Sequence, residues 1–225
     1  MKISGLHKTS LIDYPGHIAA IVFTQGCNFR CAYCHNSQLL NCQTEGSIKT
    51  REVFDFLANR RQKLNGLVIT GGEPTLQPDL LDFIKQVKSL GYDIKLDTNG
   101  SHSSMLKEII DQQLVDYIAM DIKAPLDKYA KIVGKKINTA EIKKSIDLII
   151  DSHIDHEFRT TYTDKLLTIA DIKEILKLIT GAQKYYLQNY FDNDNVLTHH
   201  LDSSPIPITS RLELTQLFNG VLGVR

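Results

Sequence analysis

The sequence has no tryptophan, only four cysteines and no excess of either charge. Its 26 Lys+Arg are balanced by 26 Asp+Glu, so there is no electrostatic footprint of a nucleic-acid or membrane-surface partner, and neither is expected. The longest apolar stretch, Ile18 to Phe23, is far short of the ~20 residues that cross a bilayer as a helix. Met1-Lys2-Ile3-Ser4-Gly5 is not followed by an apolar run, so no signal peptide is expected and the default location is cytoplasmic. Low-complexity tracts and repeats beyond an alternation of strand and helix are also missing. Three of the four cysteines fall within eight residues. Cysteines so close cannot all pair with one another, and a reducing compartment disfavours disulfides, so metal or redox chemistry is the better reading.

What is present is a regular order. The 225 residues are enough to bury a proper core, and they read as one domain with residues 1–17 as an N-terminal extension and 191–225 as a C-terminal segment. Strands are predicted at Ile18–Phe23, Leu67–Thr70, Tyr92–Leu96, Tyr117–Ile122, within His153–Tyr162 and at Lys184–Gln188. Between them lie helical stripes: Val53, Phe54, Leu57 and Ala58 after a cap at Thr50; Leu80, Leu81, Ile84, Val87 and Leu90 with Pro78 in the first turn and Gly91 at the end; Met105, Leu106, Ile109 and Ile110; and Ile142, Ile146, Ile149 and Ile150. Thr168-Ile169-Ala170-Asp171 reads as a capping box for a last helix with Ile172, Ile175, Leu176 and Ile179 inward. Six such β/α units imply a parallel sheet with right-handed crossovers, although periodicity does not separate an open sheet from a partial barrel.

Each unit carries its unusual polar residues just after the strand. Gly26–Cys34 follows the first, Gly71-Gly72-Glu73-Pro74 the second and Asp97-Thr98-Asn99-Gly100 the third. Asp121 and Lys123 end the fourth, Arg159-Thr160-Thr161 the fifth and Gln188-Asn189-Tyr190 the sixth. Parallel strands put their carboxyl ends on one side, so these groups are expected to converge on one mouth.

Cys27-Asn-Phe-Arg-Cys31-Ala-Tyr-Cys34 spaces three thiolates around one object. Thiolates suit iron–sulfur clusters or zinc. A cubane needs one ligand per iron, so a loop offering three leaves one iron open to a small molecule. A zinc site would recruit His35 or Cys42 as the fourth ligand, but zinc loops usually come as two paired knuckles, and no second pair exists in the chain.

The cysteine motif followed by Gly-Gly-Glu-Pro one unit later resembles the radical S-adenosylmethionine superfamily. The Tyr33-Cys34-His35-Asn36 context, Leu96–Gly100, Met120–Lys123, Leu11–Gly16 and Glu157–Thr161 are similar to its glycyl-radical-enzyme activases, those of the anaerobic ribonucleoside-triphosphate reductase in particular. The resemblance implies an α/β partial (β/α)6 barrel, its lower or lateral side closed by the C-terminal segment. It implies a [4Fe–4S] cluster on Cys27, Cys31 and Cys34 with S-adenosylmethionine chelating the open iron. Cleavage of that cofactor to methionine and a 5′-deoxyadenosyl radical would then take hydrogen from a glycine of the partner enzyme, with flavodoxin or ferredoxin as reductant.

By the same resemblance, Gly71, Gly72 and Glu73 meet the amino group of the cofactor and Tyr33 lies near its adenine. Asp97, Thr98, Asn99 and Asp121 line a monovalent-cation site beside its carboxylate, Lys123 contacts the carboxylate or ribose, and Arg159 reaches the cofactor. A histidine that some activases carry near the sixth strand has no counterpart here; Gln188 is the available hydrogen-bonder. His153, His156, His199 and His200 have no ligand-like framing and read as surface or loop residues. A small-molecule enzyme of the deazaguanine-synthase type and a zinc-stabilised binding module are the rival readings. Under the three-ligand reading, Cys31→Ala abolishes cluster assembly and cofactor cleavage whereas Cys42→Ala spares both. Iron and sulfide analysis after anaerobic purification checks this, and loss of the cluster in the Cys42 variant would overturn it.

Overall fold

Strand parity builds the architecture. Successive side chains of a strand point to opposite faces, and here one face of the central strands is mainly apolar while the other changes character from end to end. A computed structural model describes residues 1–192, 196–198, 201 and 205–224. Its sheet contains β1 (Ile3–Ser10), β2 (Ala19–Thr24), β3 (Gly66–Gly71), β4 (Asp93–Thr98), β5 (Tyr117–Asp121), β6 (Asp155–Tyr162), β7 (Lys184–Asn189) and β8 (Val221–Val224), lying side by side in chain order. β1 runs antiparallel to β2, and every later pair is parallel.

The helices are α1 (Thr50–Arg60), α2 (Leu80–Ser89), α3 (Ser103–Asp111), α4 (Tyr129–Ile132), α5 (Thr139–Asp151), α6 (Ile169–Leu178) and α7 (Ile208–Leu217). Crossovers of one hand between strands in sequential order put their helices on one face, and the sheet curls away from them. Val22, Ile69, Leu96, Ile118, Phe158 and Leu187 on that outer face pack in one buried cluster with Leu57, Ile84, Ile109, Ile146 and Ile175 from the helices. The inner face forms a separate small cluster of Ala19, Ile21, Val68 and Tyr117 with Tyr14. Further along the same inner positions stand Thr70, Asp97, Asp121, Arg159, Thr161 and Gln188, all lining one cavity. The result is a partial barrel of six parallel strands, β2 to β7, flanked by β1 and β8.

The N-terminal extension closes the lower end of this barrel. Tyr14 stacks on His17 at 3.9 Å between centroids and lies 6.0 Å from Tyr117, the first residue of β5. His17 Nε2 lies 3.0 Å from Asp93, the first residue of β4. Of the two placements expected for the C-terminal segment, the lateral one is seen among the described residues, where β8 pairs with β7. The flanking strands escaped the sequence reading for physical reasons: β1 is half exposed and lacks alternation, and β8 has four residues. Helix α7 buries only Leu214 and leaves Ile208, Leu212 and Leu217 exposed, so it has no apolar stripe to read.

Smaller corrections concern caps and one histidine. Lys49 rather than Thr50 is the N-cap of α1, its N–H donating to Glu52 at 3.3 Å. Pro78 precedes Asp79, the N-cap of α2, and is not in the helix. The Thr168–Asp171 capping box forms as expected. His156 is buried on β6 rather than at the surface, where its Nδ1 meets the Ile154 carbonyl at 2.9 Å. His153 is exposed, and His199 and His200 lie outside the described residues. Among the described residues no helix is long and apolar enough to cross a membrane. Ile94 on the outer face of β4 is fully buried, so Ile94→Ala should cost about 2–5 kcal/mol in urea unfolding. The exposed Leu212→Ala should stay within about 0.5 kcal/mol; equal losses would contradict this packing.

Candidate active site

The cysteine loop leaves β2 through Gly26, whose φ of +97° favours glycine. Its backbone is tied on every side. Gly26 N–H donates to Leu39 O at 2.7 Å, Arg30 N–H to Val133 O at 2.8 Å and Cys34 N–H to Cys31 O at 3.0 Å. Leu197 and Thr198 from the C-terminal segment donate to the carbonyls of Cys34 and Ala32 at 3.2 and 3.0 Å. Arg30 turns its guanidinium back onto the Cys27 and Phe29 carbonyls at 2.8 and 2.6 Å. Cys27 and Cys31 are buried and Cys34 is half-buried.

The next strand end locks against this loop. Glu73 N–H donates to Gly26 O at 2.8 Å and Gly72 N–H to Thr24 O at 2.9 Å. The approach is so close that a Cβ on Gly72 would overlap the Gly26 carbonyl, which is why a glycine is needed there. Glu73 itself is completely buried. Its Oε1 accepts from Thr75 N–H (3.1 Å), Thr75 Oγ1 (2.6 Å) and Thr98 Oγ1 (2.7 Å), and its Oε2 from Asn99 N–H (2.7 Å). Burial raises its pKa while these bonds favour the carboxylate. Glu73 therefore acts first as a clamp between β3 and β4, with capacity left on Oε2 for one further donor.

Asn99 extends the clamp. Its Oδ1 accepts from Ser101 N–H at 2.9 Å, closing a local turn, while its Nδ2 donates to Asn28 Oδ1 at 3.0 Å. Asn28 in turn donates to Ser101 Oγ at 2.7 Å. The asparagine thus serves both as turn residue and as a brace for the cysteine loop.

The inner face of β4 to β6 holds a ladder of alternating charge. Lys95 Nζ pairs with Asp97 Oδ1 at 2.9 Å, and Asp97 Oδ2 with Arg159 Nη1 at 3.2 Å. Arg159 Nε reaches Asp121 Oδ1 at 2.8 Å, and Asp121 Oδ2 meets Lys123 Nζ at 2.9 Å. Glu157 adds a third carboxylate beside Arg159 at 3.9 Å. Arg159 outweighs burial and, with Lys95, holds Asp97 below the ordinary carboxylate range. Arg159 and Lys123 do the same for Asp121. Asp121 correspondingly raises Lys123 and Arg159 against their burial.

Every residue singled out from the sequence lines one cavity of about 240 Å³: Cys27, Cys31, Cys34, Tyr33, Gly71, Gly72, Glu73, Asp97, Thr98, Asn99, Asp121, Lys123, Arg159 and Gln188. Thr70, Thr161, His35 and Asn36 line it as well. Thr161 is among the polar strand ends expected at the mouth, whereas Thr70 was missed, though it shares the face of Val68. Asn28 and Lys95 were also missed; Lys95 stands two residues before Asp97 on the same face.

The residues fit a thiolate-bound cluster with a zwitterionic nucleoside ligand. Three thiols stand opposite a cationic and carboxylate-bearing wall, and the buried Tyr33 hydroxyl has no hydrogen-bond partner among the described residues. Burial pushes the Cys27 thiol up to about 12 and the Cys31 thiol up to about 11, a balance that a cationic iron centre reverses because coordinating thiols are deprotonated. A zinc site is less well served. His35 Nε2 lies 2.7 Å from Phe191 O and its ring stacks on Tyr190. Exposed Cys42 points its sulfur at the Cys27 and Leu40 carbonyls. Among the described residues no three His, Cys, Asp or Glu side chains are grouped to hold a single metal ion.

Residues 21–179 match the family model described as the Radical SAM superfamily. The chain belongs to the radical SAM superfamily. Its relatives include a Methanocaldococcus jannaschii protein named "Putative glycyl-radical enzyme activating enzyme MJ1227", 34% identical over 96% of this chain and 89% of the relative. A pyruvate formate-lyase-activating enzyme from Clostridium pasteurianum is 31% identical over 84% of this chain and 82% of its own. Among solved structures, Streptococcus suis SuiB bound to S-adenosylmethionine superposes with a TM-score of 0.69 at 13% identity. That match covers 89% of this chain and 48% of SuiB, so the present chain spans about half the SuiB length. The likeness supports the radical SAM fold alone. The superfamily uses a [4Fe–4S] cluster and S-adenosylmethionine, which agrees with the donor set of this cavity.

The charge ladder makes the fold sensitive to acid. A carboxylate with a depressed folded-state pKa contributes stability above its unfolded value and loses it as pH falls through the folded one. Asp121→Asn should therefore cost on the order of 2 kcal/mol at pH 7 and flatten the decline in stability below about pH 4. Urea titrations across that range check it; an unchanged acid limb would contradict it.

Proposed function

We propose that this radical SAM protein is an activase that installs a glycyl radical on a partner enzyme, and that the partner is an anaerobic ribonucleoside-triphosphate reductase. The observation that carries the activase reading is similarity along nearly the whole chain to relatives named as glycyl-radical enzyme activating enzymes. The reductase as partner rests on the sequence resemblance alone, centred on Tyr33–Asn36, Leu96–Gly100 and Met120–Lys123.

In this reading Cys27, Cys31 and Cys34 hold the cluster and leave one iron for S-adenosylmethionine. When bound, the pair supplies a 5′-deoxyadenosyl radical and methionine by one-electron reduction of the sulfonium, and the radical takes hydrogen from the partner's glycine. The Gly71–Gly72 backbone offers polar groups without side chains, and the spare lone pair of Glu73 Oε2 suits the cofactor's amino group. Lys123 faces an anionic carboxylate or the ribose, with Asp121 fixing its position. Arg159, held between Asp97 and Asp121, is oriented to present its remaining N–H groups to the cavity. Tyr33 and Gln188 provide flat and hydrogen-bonding walls for the nucleoside. Reductive cleavage needs an external one-electron donor, and flavodoxin or ferredoxin serves as it.

The test is to incubate the anaerobically reconstituted, reduced protein with S-adenosylmethionine and the host's glycyl-radical enzymes. A glycyl doublet by electron paramagnetic resonance on the reductase is expected. A doublet on another glycyl-radical enzyme would retain the activase reading and reject the reductase. No doublet on any of them would reject both.

A further inference from the structure

The monovalent cation that the sequence resemblance implies beside Asp97, Thr98, Asn99 and Asp121 does not fit the residues present. Asp97 Oδ2 pairs with Arg159, and its buried Oδ1 makes no hydrogen bond but faces the Lys95 ammonium at 2.9 Å; Asn99 Oδ1 accepts from Ser101 N–H, and both oxygens of Asp121 are taken by Arg159 and Lys123. Thr98 donates its hydroxyl to Glu73 and accepts from Gly100 N–H at 3.1 Å. Two ammonium groups and a guanidinium already balance these carboxylates, which leaves no uncompensated negative charge for a free cation.

We propose that the ammonium of Lys95 is a built-in replacement for that cation, so that this site works without a bound monovalent ion. Lys95 is 3% exposed, a rare state for a lysine and one tolerated only when the charge is paired and hydrogen-bonded. Its Nζ has an ion-like shell: Asp97 Oδ1 at 2.9 Å, the Asp13 carbonyl oxygen at 2.8 Å and the face of Tyr117 at 6.0 Å from its centroid. An ammonium matches potassium in charge and approximately in size, and it prefers the same carboxylate and carbonyl oxygens. Tethering it to the inner face of β4 removes the entropy of capturing an ion. It also fixes Asp97, which holds one side of Arg159. Lys95 is thus a positioning residue that acts on the cavity through Asp97 and Arg159. The Asp13 carbonyl that completes its shell comes from the N-terminal plug, so the same contact joins the lower closure of the barrel to the charge ladder.

The charge argument concerns the chain alone; that the ladder faces S-adenosylmethionine rests on the function proposed above. The full chain is therefore tested by thermal unfolding in KCl, NH4Cl and tetramethylammonium chloride at equal ionic strength, for wild type, Lys95→Ala and Lys95→Met. Wild type should have the same Tm in all three salts. Lys95→Ala should lose about 10 °C in tetramethylammonium chloride and regain at least half of it in KCl or NH4Cl. Lys95→Met fills the space with an apolar chain and should lose stability without regaining it in either salt. A potassium-dependent Tm in wild type, or a Lys95→Ala protein blind to all three cations, would overturn the proposal. Should Lys95→Ala fail to fold in every salt, small cations have not replaced the ammonium, and that too overturns it. S-adenosylmethionine affinity of the loaded wild-type protein, measured in the same salts, should not differ between them. No binding in any salt would count against the proposed function and leave the cation argument to the Tm data.

Discussion

A buried carboxylate with four donors around it organises the upper end of this barrel. Glu73 is completely excluded from solvent, so each of its bonds is needed to offset the cost of desolvation. The donors come from its own turn and from the end of β4, so the clamp fixes two strand ends relative to each other. The glycine pair before it lets the backbone press against Gly26 and carries the constraint into the cysteine loop. That contact adds to the loop's bonds to Leu39, Val133 and the C-terminal segment and sets it against the end of β3.

The two faces of the sheet divide the work. The outer face buries Val, Ile, Leu, Met and Phe against the helices and supplies the bulk of the apolar burial. This leaves the inner face free to carry charge. Its lower part is filled by Tyr14, Ile21, Val68 and Tyr117, which support the ladder from Lys95 to Lys123 from below. Paired in this way, the charges stay ionised in a poorly solvated interior and offer a prearranged polar wall that needs little reorganisation when a charged ligand enters. Functional polarity is concentrated at the carboxyl ends of the strands, while the opposite ends are plugged.

Much of this was legible in the sequence because it follows from parity and spacing. The six parallel strands, their helical stripes and the convergence of their polar ends all come from periodicities of two and of about 3.6. The cysteine spacing and Gly71-Gly72-Glu73 then pointed to the cavity that these residues line. Features that depend on contacts distant in sequence were not legible. Glu73 reads as a ligand-facing acid, and only the fold reveals Thr98 and Asn99 as its donors. Arg159 reads as a cofactor contact, and only the fold shows it bridging two aspartates on two other strands. His156 carries no apolar signal, yet strand parity buries it beside Phe158. β1, α7 and β8 lack alternation or a stripe because they lie at the sheet's margins, where one face is open to solvent.

The central claim is that Cys27, Cys31 and Cys34 alone anchor a four-iron cluster and leave one iron for S-adenosylmethionine. Mössbauer spectra of the protein reconstituted with iron-57 and sulfide, recorded with and without S-adenosylmethionine, test it most directly. The account predicts that a single iron of the four shifts to higher coordination when the cofactor is added while the other three keep their parameters. Four irons indifferent to the cofactor, or a preparation holding zinc and no sulfide, would contradict it.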